Sequence, residues 1–306
     1  MNHLAHVLVG VDFSGPSRAA YEYAVVLSRA CGAELTAVHA VPRDRTFRFQ
    51  ARERISMIEA LHQAAEAAGV RLKVSVQQGD PADVILVHAH ARRPDLIVLG
   101  TQQRSGVERF RLGSVAETVT LQATQPVLIV PRSFGGRTAE SEISYKSILV
   151  AVDFSPSSIA AVDRALSMAH ANMLVTLVHV VPSVPFAHMS PYTYHLSESD
   201  HQSLLARDAR QRLQDTTSSN AGTSRNVHTR VATGEPSTEI ARIAKDVDAD
   251  LILLGVTSRG PLGRRLWGAT AARLIRIAER PVLAIPERAG QVADPQPEVR
   301  QHAIAA

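Results

Sequence analysis

The chain has one cysteine, Cys31, among its 306 residues, so no intrachain disulfide can staple it. That suits a reducing compartment and leaves the fold to be held by its core. Aromatic residues make up 4% of the sequence, too few for the stacking platforms of single-stranded nucleic-acid binders. Lysine is almost missing: Lys73, Lys146 and Lys245 are all there is, so arginine carries the net charge of +4. Arginines scattered over helical patterns read as solvated surface. They invite a search for anionic ligands, and no nucleic-acid motif accompanies them. No apolar run approaches the length of a membrane span. Met1 to His6 shows no basic region leading into an apolar one. The expectation is a cytoplasmic protein with neither a membrane nor a nucleic acid as partner.

Familiar chemical signatures are missing too. No Gly-x-Gly-x-x-Gly follows the first strand pattern, and no Walker-type lysine pair occurs. No nucleophile can be matched with a base. His39 and His179 fall inside strand patterns and read as structural. His188, His195 and His201 cluster in one segment, but their spacing matches no standard zinc site. The chain is therefore read as a non-enzyme with no catalytic residues and no metal site.

What is present is a globular composition, 45% hydrophobic and 20% charged, in a chain long enough for two domains. Its first half alternates short apolar strand patterns with helix-length connections. Strands are expected at His6–Asp12, Leu35–Val41, Arg71–Gln77, Asp95–Leu99 and Pro126–Val130, with helices between them. Such β-α alternation means a parallel sheet covered on both faces. The pattern then recurs. Ser147–Ser155 repeats His6–Ser14, and Val178–Pro182 repeats Val38–Pro42. Gly234-Glu235-Pro236, Asp250–Gly255 and Pro281–Pro286 repeat Gly79-Asp80-Pro81, Asp95–Gly100 and Pro126–Pro131. A period of a whole domain is a tandem duplication and not a solenoid. The reading is a first domain at 1–132, a polar linker at 133–145, a second domain at 146–288 and a flexible tail at 289–306. An insertion follows Pro182, and a long loop is expected at 183–200.

Open parallel sheets bind ligands at the switch point, where successive strands leave the centre in opposite directions. A strand order of 3-2-1-4-5 puts strands one and four together there. Their ends are Asp12 and Gly100 in the first half, and Asp153 and Gly255 in the second. An acid at a strand end can accept a ribose or base hydrogen bond, and a glycine loop lets backbone N–H groups approach phosphate. The alternative is that Asp12 and Asp153 are only turn or cap acids. The loop after Gly100 ends at Gly113-Ser114, where Ser114 and Glu117 form a capping-box pattern at a helix start. A helix N-terminus attracts anions, though a well-capped βα connection explains the same residues.

These residues resemble the universal stress protein family in its tandem form. The resemblance rests on Val-Asp-Phe-Ser opening each half, Val-His-x-Val-Pro, Gly-[Asp/Glu]-Pro and Asp-Leu-Ile-x-Leu-Gly. It implies two five-stranded doubly wound domains of order 3-2-1-4-5, paired through their last strands as an intramolecular pseudo-dimer. It also implies a stress-regulatory protein binding ATP, with Mg beside it, or a related adenine nucleotide. The family loop has the form Gly-x2-Gly-x9-Gly-[Ser/Thr]. Carried over, the first half supplies Gly100, Gln103, Gly113, Ser114 and the adjoining Val115, with Asp12 and Val41 at base and ribose. The second half supplies Gly255, Ser258, Gly268 and Ala269, with Asp153 and Val181. Gln103 and Ser258 stand where the second glycine is expected, and Ala269 stands where a hydroxyl is. Arginines at 104, 109, 111, 259, 264 and 265 in the two loops suit phosphate. The expectation is weakened nucleotide binding, with the first half better preserved. The alternative is a degenerate scaffold that acts through protein partners.

Overall fold

The computed structural model describes residues 4–41, 51–101, 113–134, 145–183, 198–218, 226–256 and 269–287. The first half runs β1 (His6–Gly10), α1 (Gly15–Cys31), β2 (Glu34–Val41), α2 (Ala51–Ala67), β3 (Leu72–Gln78), α3 (Pro81–Arg92), β4 (Leu96–Thr101), α4 (Ser114–Gln122) and β5 (Val127–Pro131). The second runs β6 (Ser147–Ala151), α5 (Pro156–Met168), β7 (Leu174–Pro182), α6 (Glu198–Ser218), β8 (Val227–Gly234), α7 (Pro236–Asp246), β9 (Leu251–Val256), α8 (Ala269–Ile277) and β10 (Val282–Pro286).

Local chemistry starts the helices. Ser14 accepts from the Ser17 N–H at the head of α1, and Ser155 accepts from Ser158 at the head of α5. A proline stands in the first turn of each, where its missing N–H costs nothing. Gly32, in the left-handed region at φ 66°, closes α1. Asp80 caps α3 and Glu235 caps α7, each taking two backbone N–H groups.

The strands form one ten-stranded sheet in the order β3-β2-β1-β4-β5-β10-β9-β6-β7-β8. Each half therefore has the order 3-2-1-4-5, and every pairing within a half is parallel. The halves join through an antiparallel β5–β10 pair, with Leu128 opposite Leu283. The pairing through last strands thus occurs inside one chain. Apolar residues cover both faces, and both cores cross the junction. Val98 and Leu128 share one cluster with Leu253 and Leu283, and Ile97 and Ile129 share the other with Ile252 and Val282. Tyr145, the last residue of the expected linker, is buried, and its hydroxyl meets that of Tyr23 at 2.8 Å. The expected tail and most of the expected 183–200 loop lie outside the described residues, and α6 begins at Glu198.

Gly100 and Gly255 have a packing reason that their place in a loop motif does not suggest. A Cβ on Gly100 would lie 2.2 Å from the Pro16 carbonyl oxygen, and one on Gly255 would lie 2.3 Å from the Ser158 nitrogen. The first turn of α1 or α5 rests directly on the end of the neighbouring strand, backbone against backbone, and only glycine allows it. Gly113, by contrast, has open space where a Cβ would go. Gly100→Ala should therefore lower stability by about 1–3 kcal/mol or more, and Gly113→Ala by less than about 1 kcal/mol. Urea unfolding midpoints of the two variants measure this, and equal losses would contradict it.

Candidate functional site

β1 pairs with β4, with Val9 opposite Val98, while the chain leaves β1 towards β2 and β4 towards β5. Their carboxyl ends open a crevice at the switch point of the first half. It holds a cavity of about 710 Å³, within the size range of small-molecule sites. The walls come from the β1–α1 turn (Asp12, Ser14), the end of β4 (Gly100), the head of α4 (Gly113, Ser114, Val115), the β2 residues Val38 and Ala40, and α3 (Ile85).

Asp12 is fixed by its own turn. Its Oδ1 accepts the Ser14 N–H at 2.9 Å, and its backbone N–H donates to Ser17 Oγ at 3.2 Å. Burial pulls its carboxyl up, but the hydrogen bonds from Ser14 and Ser17 outweigh this and hold it below the ordinary carboxylate value. Asp12 is thus an ionised acceptor at the cavity, and also the turn acid that the alternative reading describes. The next residue, Phe13, has φ 62°, an uncommon conformation for a bulky side chain. Its ring lies 4.6 Å from that of His39, whose Nδ1–H donates to the Val11 carbonyl at 2.8 Å. His39 therefore pins the turn, the structural role expected of it. The Phe13–His39 contact itself was missed, although both residues sit in motifs that recur.

At the head of α4, Ser114 is the first helical residue and Gly113 occupies the N-cap without a side-chain hydrogen bond. The expected capping box is thus corrected. A serine inside the first turn stands too far along the helix to cap it, and its residue lines the cavity instead. Val41 is buried, and its carbonyl takes the Gly79 N–H at 3.0 Å; its neighbour Ala40 is the residue that lines the cavity. Gln103 and the arginines at 104, 109 and 111 lie outside the described residues.

The second half repeats the turn. Ser155 N–H donates to Asp153 Oδ1 at 2.9 Å, and hydrogen bonds from Ser155 and Ser158 hold that carboxyl low against the upward pull of burial. Phe154, at φ 64°, lies 4.8 Å from His179, which holds the Val152 carbonyl at 2.8 Å. Gly255 ends the core of β9 against α5, and Ala269 is the first residue of α8. Val181 is buried against Ala206 and Ala209 of α6. Ser258, Gly268 and the arginines at 259, 264 and 265 lie outside the described residues. Among the described residues no group of three or more His, Cys, Asp or Glu is placed to hold a metal, and no helix is long and apolar enough to cross a membrane.

These features define a duplicated, doubly wound α/β protein with a ligand-sized crevice at a switch point. The profile of the universal stress protein family matches residues 4–131 and 144–286, so the chain belongs to that family, as two domains in tandem. A universal stress protein of Methanocaldococcus jannaschii, MJ0531, is 30% identical over 138 residues, covering 41% of this chain and 81% of its own length. YxiE of Bacillus subtilis is 32% identical over 143 residues, covering 40% of this chain and 97% of its own. Among solved structures, a universal stress protein from Archaeoglobus fulgidus superposes with a TM-score of 0.67 at 20% identity, over 92% of this chain and 98% of its own. That last likeness extends across both halves and concerns the fold.

The depressed Asp12 carboxyl has a consequence for stability. A group whose folded value lies below its unfolded one stabilises the fold above the unfolded value, and this is lost as pH falls through the folded value. Asp12→Ala should therefore cost about 1 kcal/mol near neutral pH. The gap from the parent chain should close as pH falls from the ordinary value of 3.8 through the depressed one. Urea melts across that range measure it, and a gap independent of pH would contradict it.

Proposed function

We propose that this chain is a regulatory protein that works by binding an adenine nucleotide, ATP or AMP, in its first-half crevice, without catalysis of its own. The observation that carries the reading is the cavity of about 710 Å³ walled jointly by Asp12, Gly100 and the head of α4. Each wall suits one part of a nucleotide. The ionised Asp12 offers an acceptor to ribose or base. The apolar Val38, Ala40 and Ile85 suit a base, and the first N–H groups of α4 beside Gly113, Ser114 and Val115 suit phosphate. If Mg accompanies ATP, the ionised Asp12 is the carboxylate that would meet it on this cavity. The loop departures weaken binding in this reading. One lost hydrogen bond to a charged group costs about 1.5–3 kcal/mol, roughly ten- to a hundredfold in affinity. Gln103 brings such a loss to the first half. Ser258 and Ala269 bring it to the second, so Asp153, Val181, Gly255 and Gly268 there form the weaker site.

A second reading has its own support. Gly100 and Gly255 are required by the close approach of α1 and α5, with or without a ligand. A scaffold that has lost its nucleotide would keep them, and would act through protein partners.

Calorimetric titration of the purified chain with ATP and AMP separates the two. The nucleotide reading expects saturable heat with one dominant site, and at least a tenfold loss in Asp12→Ala, on the order of a charged hydrogen bond. No heat at millimolar nucleotide, and no nucleotide released on denaturing the protein, would leave the scaffold reading standing.

A further inference from the structure

One wall of the first-half cavity comes from the second half. Arg276, near the end of α8, lines the same cavity as Asp12, Gly100 and Ser114. Its Nη2 lies 3.9 Å from Glu117 Oε2, at the edge of an ion pair and beyond hydrogen-bond distance. Its Nε is buried and finds no hydrogen-bond partner among the described residues. A buried guanidinium N–H is costly to leave unsatisfied. A loose pair with a partly exposed carboxylate offsets little of that cost.

The arrangement occurs once across the pseudo-dyad. The repeat that carries Asp95 to Asp250 carries Leu121 to Arg276 and Glu117 to Ala272. Leucine and alanine cannot form the reciprocal pair, so among the described residues this cross-domain pair belongs to the first-half crevice. Glu117 lies three residues along α4 from Ser114, one turn from the N–H groups that would hold the first phosphates, and it is the Glu117 carboxylate that Arg276 approaches. Without Arg276, Glu117 would repel an anion extending that far. With it, the extending group meets a planar donor fork that matches phosphate oxygens.

Resting on the nucleotide reading above, we propose that Arg276 of the second half is a specificity-determining residue of the first-half site, reading the distal phosphates of a nucleoside triphosphate across the domain boundary. Its resting partner is Glu117, which an incoming phosphate displaces. The first-half site is then complete only when the two halves are joined through β5 and β10. Triphosphate is preferred over monophosphate, and the second-half crevice lacks this preference.

The test compares ATP and AMP titrations of the full chain with those of two variants. Arg276→Leu installs the side chain that the first half carries at the equivalent place. It should weaken ATP about tenfold or more and leave AMP within about twofold. Glu117→Gln removes the competing carboxylate and should tighten ATP several-fold, with AMP again little changed. Equal losses of ATP and AMP in Arg276→Leu, or unchanged affinities in both variants, would overturn the assignment while leaving nucleotide binding intact. A parent chain that takes up neither nucleotide would overturn the nucleotide reading and this assignment with it. Should Arg276→Leu fail to fold, Arg276→Lys keeps the charge without the fork. An ATP-selective loss there upholds the role, and an unchanged ATP-to-AMP ratio rejects it.

Discussion

The contact on which the rest of the molecule depends is the seating of the α1 first turn on the end of β4, with its twin of α5 on β9. Pro16 and Ser17 bring backbone to a point where even a methyl group on Gly100 would overlap. That proximity decides where the β1–α1 turn goes. It carries Ser17 under the Asp12 N–H and Ser14 onto the Asp12 carboxylate, and it sets the wall that faces α4. A larger residue at Gly100 would push α1 off the sheet and change the crevice and the core together. The glycine is thus a packing requirement first, and its place on the crevice follows from it.

The turn that this contact creates is held by an unusual backbone. Phe13 and Phe154 both adopt positive φ, a conformation that costs on the order of 1–3 kcal/mol for such residues. Each is held by a histidine from the second strand of its half, which lies against the ring and donates to the carbonyl just before the acid. In the second half the guanidinium of Arg212 from α6 also lies 4.0 Å over the Phe154 ring. The strain has the same form in both halves, so it belongs to the fold that the duplication copied. What it achieves is a carboxylate presented at the end of the first strand by a turn held through a ring contact and a hydrogen bond.

The architecture was legible in the sequence because burial imposes period and length. Runs such as Leu96–Leu99 and Leu251–Leu254 are apolar throughout, as strands covered on both faces must be, and their repetition reveals the duplication. Caps leave a short signature in sequence, because Ser14, Asp80 and Ser155 accept from backbone N–H groups only two or three residues on. They were misread at Ser114, where the pattern fits but the helix begins one residue early. The placing of Asp12 and Gly100 across one crevice followed from topology. The reason for Gly100 did not, because backbone-to-backbone distance leaves no signature beyond the glycine itself. Arg276 was not legible either. It lies in the other half of the chain, and its relation to Glu117 exists only once β5 and β10 have paired.

Joining two copies of one domain on a single chain changes what the pairing can encode. A dimer of identical subunits must present the same residue on both sides of its axis, so an arginine offered to one crevice is offered to both. The duplicated chain is free of that rule. Leu121 and Arg276 occupy equivalent places on α4 and α8, yet only one of them meets a carboxylate across the junction. The continuous cores on both sheet faces keep the halves registered closely enough for such a difference to matter, because the β5–β10 ladder fixes α8 relative to α4. Symmetry in the backbone with asymmetry in the side chains gives equivalent places in the two halves a different charge. Duplication thus lets a side chain change in one half without changing its counterpart in the other.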